Sequence, residues 1–177
     1  MILQQLKQNL GECKFQSKCI CKDKSAYEIC DEEEFFIFDP VGEYPSIIVT
    51  NYDEFHLTVK NNNKKNIVFV KTDCCLIKEE SKCDTVLFND EKIYFVELKK
   101  VNSAGRNNAR KDAVLQIEST IRKFKESNIE YKLLNSFAVI CFKSTNIYPI
   151  RASANSKREH FRKEYQVNLI EANEINF

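Results

Sequence analysis

Only three glycines occur in 177 residues, Gly11, Gly42 and Gly105. None belongs to the closely spaced set that brings backbone amides against a dinucleotide or a triphosphate. Rossmann and P-loop chemistries are thereby excluded. No apolar run approaches the roughly 18–20 residues of a membrane span. The start, Met1-Ile2-Leu3-Gln4-Gln5-Leu6-Lys7, lacks the charged beginning and long apolar stretch of a signal peptide, so a cytoplasmic protein without a membrane partner is expected. Repeats, low-complexity tracts and long linkers are missing as well. What is present, 43% hydrophobic and 30% charged residues, suits a folded chain rather than a disordered one. At about 100–200 residues per domain, it predicts a single unit, residues 1–177, with a real core.

Cysteine is plentiful: eight residues, at 13, 19, 21, 30, 74, 75, 83 and 141. In a cytosolic chain of this size they are expected to be reduced thiols, because such a chain neither needs nor keeps disulfides. Cys13, Cys19, Cys21 and Cys30 do not follow the paired spacings by which a short knuckle presents two thiolates to zinc. A zinc-stabilised interaction domain centred on these cysteines is a third reading, beside an enzyme and a binding module. Cys74, Cys75, Cys83 and Cys141 lie in apolar runs, where cysteine behaves as a small buried hydrophobe.

The net charge is +1, but its distribution is uneven. Residues 1–98 hold 12 Lys and Arg against 18 Asp and Glu, whereas residues 99–177 hold 15 against 8. The basic second half suits a polyanion partner, and solvated helix faces produce the same pattern. Up to about Cys30 the periodicity is poor and predicts helix and loop. Phe35–Phe38, Ile47–Val49, Phe55–Val59, Ile67–Val70, Cys74–Ile77, Thr85–Phe88 and Ile93–Leu98 then read as short strands between polar turns. They predict an antiparallel meander, with a hairpin joining Phe55–Val59 to Ile67–Val70. Val114, Ile117, Ile121 and Phe124 recur at helical spacing and predict a helix over Asn108–Glu126. Phe137–Phe142 is apolar throughout, as in a strand buried on both faces. A helix near Asn155–Tyr165 and a strand at Val167–Ile170 follow, which makes the class α/β.

The stretch with most chemistry is Cys83-Asp84-Thr85-Val86-Leu87-Phe88, then Asn89-Asp90-Glu91-Lys92, then Ile93-Tyr94-Phe95-Val96-Glu97-Leu98-Lys99. If the four polar residues form the hairpin loop, Phe88 faces Ile93 and Asp84 faces Glu97. Facing residues in an antiparallel ladder hold their Cβ atoms about 4.5–5.5 Å apart, close enough for two carboxylates to share one cation. Lys99 projects from the face that carries Glu97. Because both faces of the hairpin are apolar, isolated charges there are costly, whereas a divalent ion and its water would join them. A simple pairing of Asp84 or Glu97 with Lys99 at a strand end is the plainer alternative.

Asp84 and the following Glu97-Leu98-Lys99 resemble the D...ExK signature of the PD-(D/E)XK nuclease superfamily, the restriction-endonuclease-like fold. A helix after the hairpin and a buried strand after that helix agree with it. Cys83 stands where the motif often has proline. The resemblance implies a restriction-endonuclease-like core over about residues 67–142, a central mixed β-sheet flanked by helices. Residues 1–66 would be an N-terminal helix and strand elaboration, and 143–177 a C-terminal helix and strand. It further implies that Asp84 and Glu97 bind Mg²⁺ or Mn²⁺, that Lys99 orients or helps activate water, and that Gln116 reaches the site from the helix. An additional acid would come from Glu28, Glu32, Glu33, Glu34 or Asp73.

The implied partner is nucleic acid, DNA rather than RNA, with Lys100, Arg106, Arg110 and Lys111 as candidate contacts. Arg151, Lys157, Arg158, Arg162 and Lys163 lie further along, and a homodimer or protein partner would help a small domain grip its substrate. The expected activity is metal-dependent phosphodiester hydrolysis; the alternative is a non-catalytic nucleic-acid or protein-binding module on the same fold. His56 and His160 lack a partner spacing and are read as ordinary surface or core residues.

Overall fold

The computed structural model describes residues 2–14, 25–40, 42, 44–50, 56–78, 81–101, 105–131, 134–142 and 152–177. Cys19, Cys21, Phe55 and Arg151 lie outside the described residues. The elements are α1 (Ile2–Asn9), β1 (Tyr27–Cys30), β2 (Glu34–Phe38), β3 (Ile47–Val49), β4 (Leu57–Lys60), β5 (Ile67–Lys71), β6 (Thr85–Phe88), β7 (Lys92–Lys99), α2 (Arg106–Glu126), β8 (Asn135–Phe142), α3 (Ala152–His160), β9 (Asn168–Glu171) and β10 (Glu174–Asn176).

Two mixed sheets result. The larger has the order β1-β5-β6-β7-β8-β9, and the smaller β10-β4-β2-β3. From β1 to β7 the larger sheet is antiparallel, and β7, β8 and β9 are parallel. Parallel neighbours need a crossover of a dozen or more residues. Here α2 supplies the one between β7 and β8, and the segment containing α3 supplies the one between β8 and β9. The strands alternate by face. Val86, Phe88, Ile93, Phe95, Ala138 and Ile140 pack under Ala113, Val114, Ile117 and Phe124 of α2. Leu87, Tyr94, Val96, Val139 and Cys141 point the other way, onto Phe35, Ile37, Leu57 and Val59 of the smaller sheet. The central strands are therefore covered on both sides, which is why they read as unbroken apolar runs.

Several expectations need correction. Leu57–Lys60 and Ile67–Lys71 are not a hairpin, because β4 pairs with β2 and β10 while β5 pairs with β1 and β6. The polar residues between them carry the chain from one sheet to the other. Cys74–Ile77 is not a strand. Thr72–Leu76 forms a wide turn in which Cys74 adopts φ 53°, and Ile77 N donates to Thr72 O at 3.0 Å, closing it. The N-terminal part holds a strand, β1, besides helix and loop. Its Tyr27 is anchored by a hydroxyl hydrogen bond to Gly11 O at 2.7 Å. The helix expected from 108 begins two residues earlier, after Gly105.

Cys13 and Cys30 belong to the two different cores, on opposite faces of the larger sheet, so they do not converge on one metal ion. Cys75, Cys83 and Cys141 are buried as expected, and Cys74 is half-buried.

Phe95 is fully buried and meets Phe124 and Tyr131 edge-on, each with ring centroids 5.4 Å away. It joins the central strand to the helix that faces the site. Phe95→Ala is expected to cost about 3–5 kcal/mol of unfolding free energy, measured as a lower denaturant midpoint at unchanged slope. A cost below about 1 kcal/mol would mean that α2 is not held through this contact.

Candidate active site

The hairpin register is the one read from the sequence: Phe88 pairs with Ile93, Leu87 with Tyr94, Val86 with Phe95 and Thr85 with Val96. One step further, Asp84 and Glu97 close the ladder with their side chains. The Asp84 amide donates to Glu97 Oε2 at 3.1 Å, and the Leu98 amide donates to Asp84 Oδ2 at 2.6 Å. Each carboxylate thus satisfies a backbone N–H at the strand end. Asp84 is 7% exposed and Glu97 1%.

Lys99 donates to Glu97 Oε1 at 2.6 Å and to Gln116 Oε1 at 2.7 Å. Gln116 Nε2 donates in turn to Lys82 O at 3.3 Å. Thr120, one turn along α2, accepts from the Cys83 amide at 2.8 Å. The helix thereby grips the residue that precedes Asp84. Asp84, Glu97, Lys99 and Gln116, expected to act together, are one hydrogen-bonded cluster on the α2 face of the sheet.

Of the five acids considered as additions, Asp73 is the one beside this cluster. Its amide donates to Asp84 O at 3.3 Å, and its carboxylate pairs with Lys82 at 3.3 Å. The others are engaged elsewhere or stand in solvent. Glu28 pairs with buried Lys71, Glu33 with Lys64 and Glu34 with Lys60, while Glu32 is exposed.

Sequence reasoning passed over two residues. Lys82 has no periodic signal, since it precedes the strand. Asp39 directly follows β2, 45 positions before Asp84, and only the packing of the smaller sheet brings it near; its charge is felt at Asp84. Lys100 donates to Asp39 O and lies 5.1 Å over the Phe38 ring, on the opposite side of the strand from Lys99. Arg106 sits 4.5 Å over the Phe142 ring. Arg110 makes a two-pronged ion pair with Glu171 and also donates to Asn107. Lys111 is exposed.

Burial pushes the Glu97 carboxyl up to about 7, against the opposing pull of Lys99. Burial raises Asp84 well above the usual carboxylate range, and the charge of Glu97 raises it further. Two acids in one desolvated place cannot both ionise cheaply beside a single ammonium. Among the described residues, no three His, Cys, Asp or Glu side chains converge as a ready-made metal cage. The donor chemistry nevertheless fits Mg²⁺ or Mn²⁺. These are hard cations that take oxygen ligands; Mg²⁺ is commonly held by one or two carboxylates and keeps waters or phosphate oxygens at its other positions. Compared with protein families, with curated proteins and with solved structures, the chain has no match.

A cation held by these two carboxyl groups would have to displace protons. With folded pKa values raised, the two acids favour the folded state below about pH 4.5. The share of Glu97 is lost as pH rises through about 7, where it ionises, and that of Asp84 as pH rises through its own raised pKa. Mn²⁺ is therefore expected to raise the melting temperature little at pH 5 and distinctly at pH 8, with apparent affinity increasing across pH 6–8. Equal shifts at both pH values would remove Asp84 and Glu97 from the list of ligands.

Proposed function

We propose that the protein is a divalent-metal-dependent nuclease of the restriction-endonuclease-like class, acting on DNA in preference to RNA. The observation that carries this reading is the cluster itself: two buried carboxylates with raised pKa values beside a lysine that is held by Gln116. The order of β5, β6, β7, α2 and β8, with β7 and β8 parallel, supports it. So do the cationic residues Arg106 and Lys111 on the first turns of α2.

A bound Mg²⁺ or Mn²⁺ would supply a Lewis acid for the phosphate and lower the pKa of a coordinated water. Asp84 and Glu97 would hold it through the oxygens that face the cluster. Lys99 is a compact point charge 2.6 Å from Glu97 Oε1, suited to orient the attacking water and to offset charge developing on the phosphate. Gln116 keeps that ammonium in place. In hydrolysis the water oxygen bonds to phosphorus, the bond to one ester oxygen breaks, and the departing oxygen takes up a proton. Asp73 and Lys82 lie beside the cluster, where a flanking phosphate would meet the lysine.

Asp84→Asn preserves an acceptor for the Leu98 amide while removing the charge, so it is expected to fold and to lose at least about 10²-fold in cleavage rate. Lys99→Ala is expected to keep or improve Mn²⁺ affinity and to lose turnover to a similar extent. Lys99→Arg should rescue poorly, since a planar fork cannot replace a point charge. Cleavage of single- and double-stranded DNA and RNA with Mg²⁺, Mn²⁺ or EDTA checks this. Metal binding with no cleavage of any of the four would favour a non-catalytic binding module.

A further inference from the structure

A groove of about 600 Å³ opens between α2, α3 and β9. Its floor is apolar, with Val114, Ile140 and Leu169, and exposed Leu115 at its edge; its rim carries Lys111 and Lys157. Arg110 and Arg158 add positive charge to the same lining, where Glu171 is the one carboxylate, and that one is already paired with Arg110. The rim therefore has a net positive charge.

The sheet register ties the groove to the cluster. Glu97 faces Ile140, and Ile140 faces Glu171, so the three stand in one row across β7, β8 and β9. At about 4.8 Å between neighbouring strands, Glu171 lies about 10 Å from the Glu97 position. That is within one or two nucleotides of a reacting phosphate.

The geometry points to a subsite for an unpaired nucleotide of the substrate strand, seated between α2 and α3. The inference rests on the nuclease reading of the cluster. A duplex presents phosphates outward and keeps its bases stacked and paired inside, so it has little to offer an apolar floor set behind a basic rim. An unpaired nucleotide offers both a phosphate for the rim and a base face for Leu115 and its neighbours. The substrate class is then DNA with a single-stranded portion: a free strand, a flap or an overhang. Leu115 is 55% exposed in the middle of α2, so its apolar side chain is presented at the groove's edge.

The test is binding without cleavage. Fluorescence anisotropy of a labelled oligothymidylate and of a blunt DNA duplex is measured in EDTA with the full chain. The wild type is expected to prefer the single strand. Leu115→Glu, at an exposed helical site that tolerates the change, is expected to weaken single-strand binding about tenfold and duplex binding less than twofold, while Leu115→Met retains the preference. Lys157→Ala is expected to lower the salt dependence of single-strand binding by about one counterion. A wild type without preference, or a Leu115→Glu protein with the preference intact, overturns the subsite. Leu115-dependent single-strand binding by a protein that cleaves nothing would support the subsite and refute the nuclease reading.

Discussion

Two carboxylates are held at the closing end of the β6–β7 ladder by backbone amides, and much of the molecule is arranged around that cost. A buried acid must be neutralised, paired or given a cation. Lys99 offsets part of the charge, and Gln116 holds Lys99. Gln116 and Thr120 in turn fasten α2 to the segment that precedes Asp84. The helix is thus fixed at its polar side by the site and at its apolar side by Phe95, Phe124 and their neighbours. Its position over the sheet follows from both. The raised pKa values of Asp84 and Glu97 are the residual of this arrangement, an electrostatic demand that the protein's own cations leave partly unmet.

The smaller sheet has a mechanical role in the same arrangement. It covers the face of β6, β7 and β8 opposite α2, and so takes water away from the hairpin on its second side. Desolvation is the largest cause of the shifts at both acids. The two acids lie on the α2 face, so the smaller sheet buries the apolar side of the hairpin rather than the carboxyl groups themselves. It also brings Asp39 to the vicinity, adding negative charge where charge is already expensive.

The parts of the fold legible in the sequence are those governed by local pattern. The hairpin register followed from a four-residue polar loop between two apolar runs, and it placed Asp84, Glu97 and Lys99 correctly relative to one another. The α2 stripe and the β8 run were likewise plain, because each has a single uninterrupted period. The division into two sheets was not legible. Leu57–Lys60 and Ile67–Lys71 look like the arms of one hairpin, and only side-chain packing across the molecule decides that each belongs to a different sheet. Cys74–Ile77 has strand-like composition, yet the positive φ of Cys74 and the hydrogen bond from Ile77 to Thr72 turn it back on itself. Lys82 and Asp39 escaped for the same reason: their relation to the site is tertiary and leaves no periodic trace.

The parallel pairing of β10 with β4 joins Glu174–Asn176 to Thr58–Lys60, across more than a hundred residues of intervening chain. During synthesis β2, β3 and β4 leave the ribosome early but can acquire this fourth strand only after the elements between have been made. Loop closure over such a span is slow compared with the formation of local hairpins and helices. The α2-covered face of the large sheet can therefore condense first, with the outer edge of β4 unpaired until β10 docks. On this order of events, the acid cluster under α2 can be complete while the smaller sheet still presents an unpaired strand edge, a ready template for pairing with another chain. With β10 undocked, the chain would still hold the β6–β7 hairpin in register and keep Asp84 and Glu97 beneath α2, while the outer edge of β4 stays open.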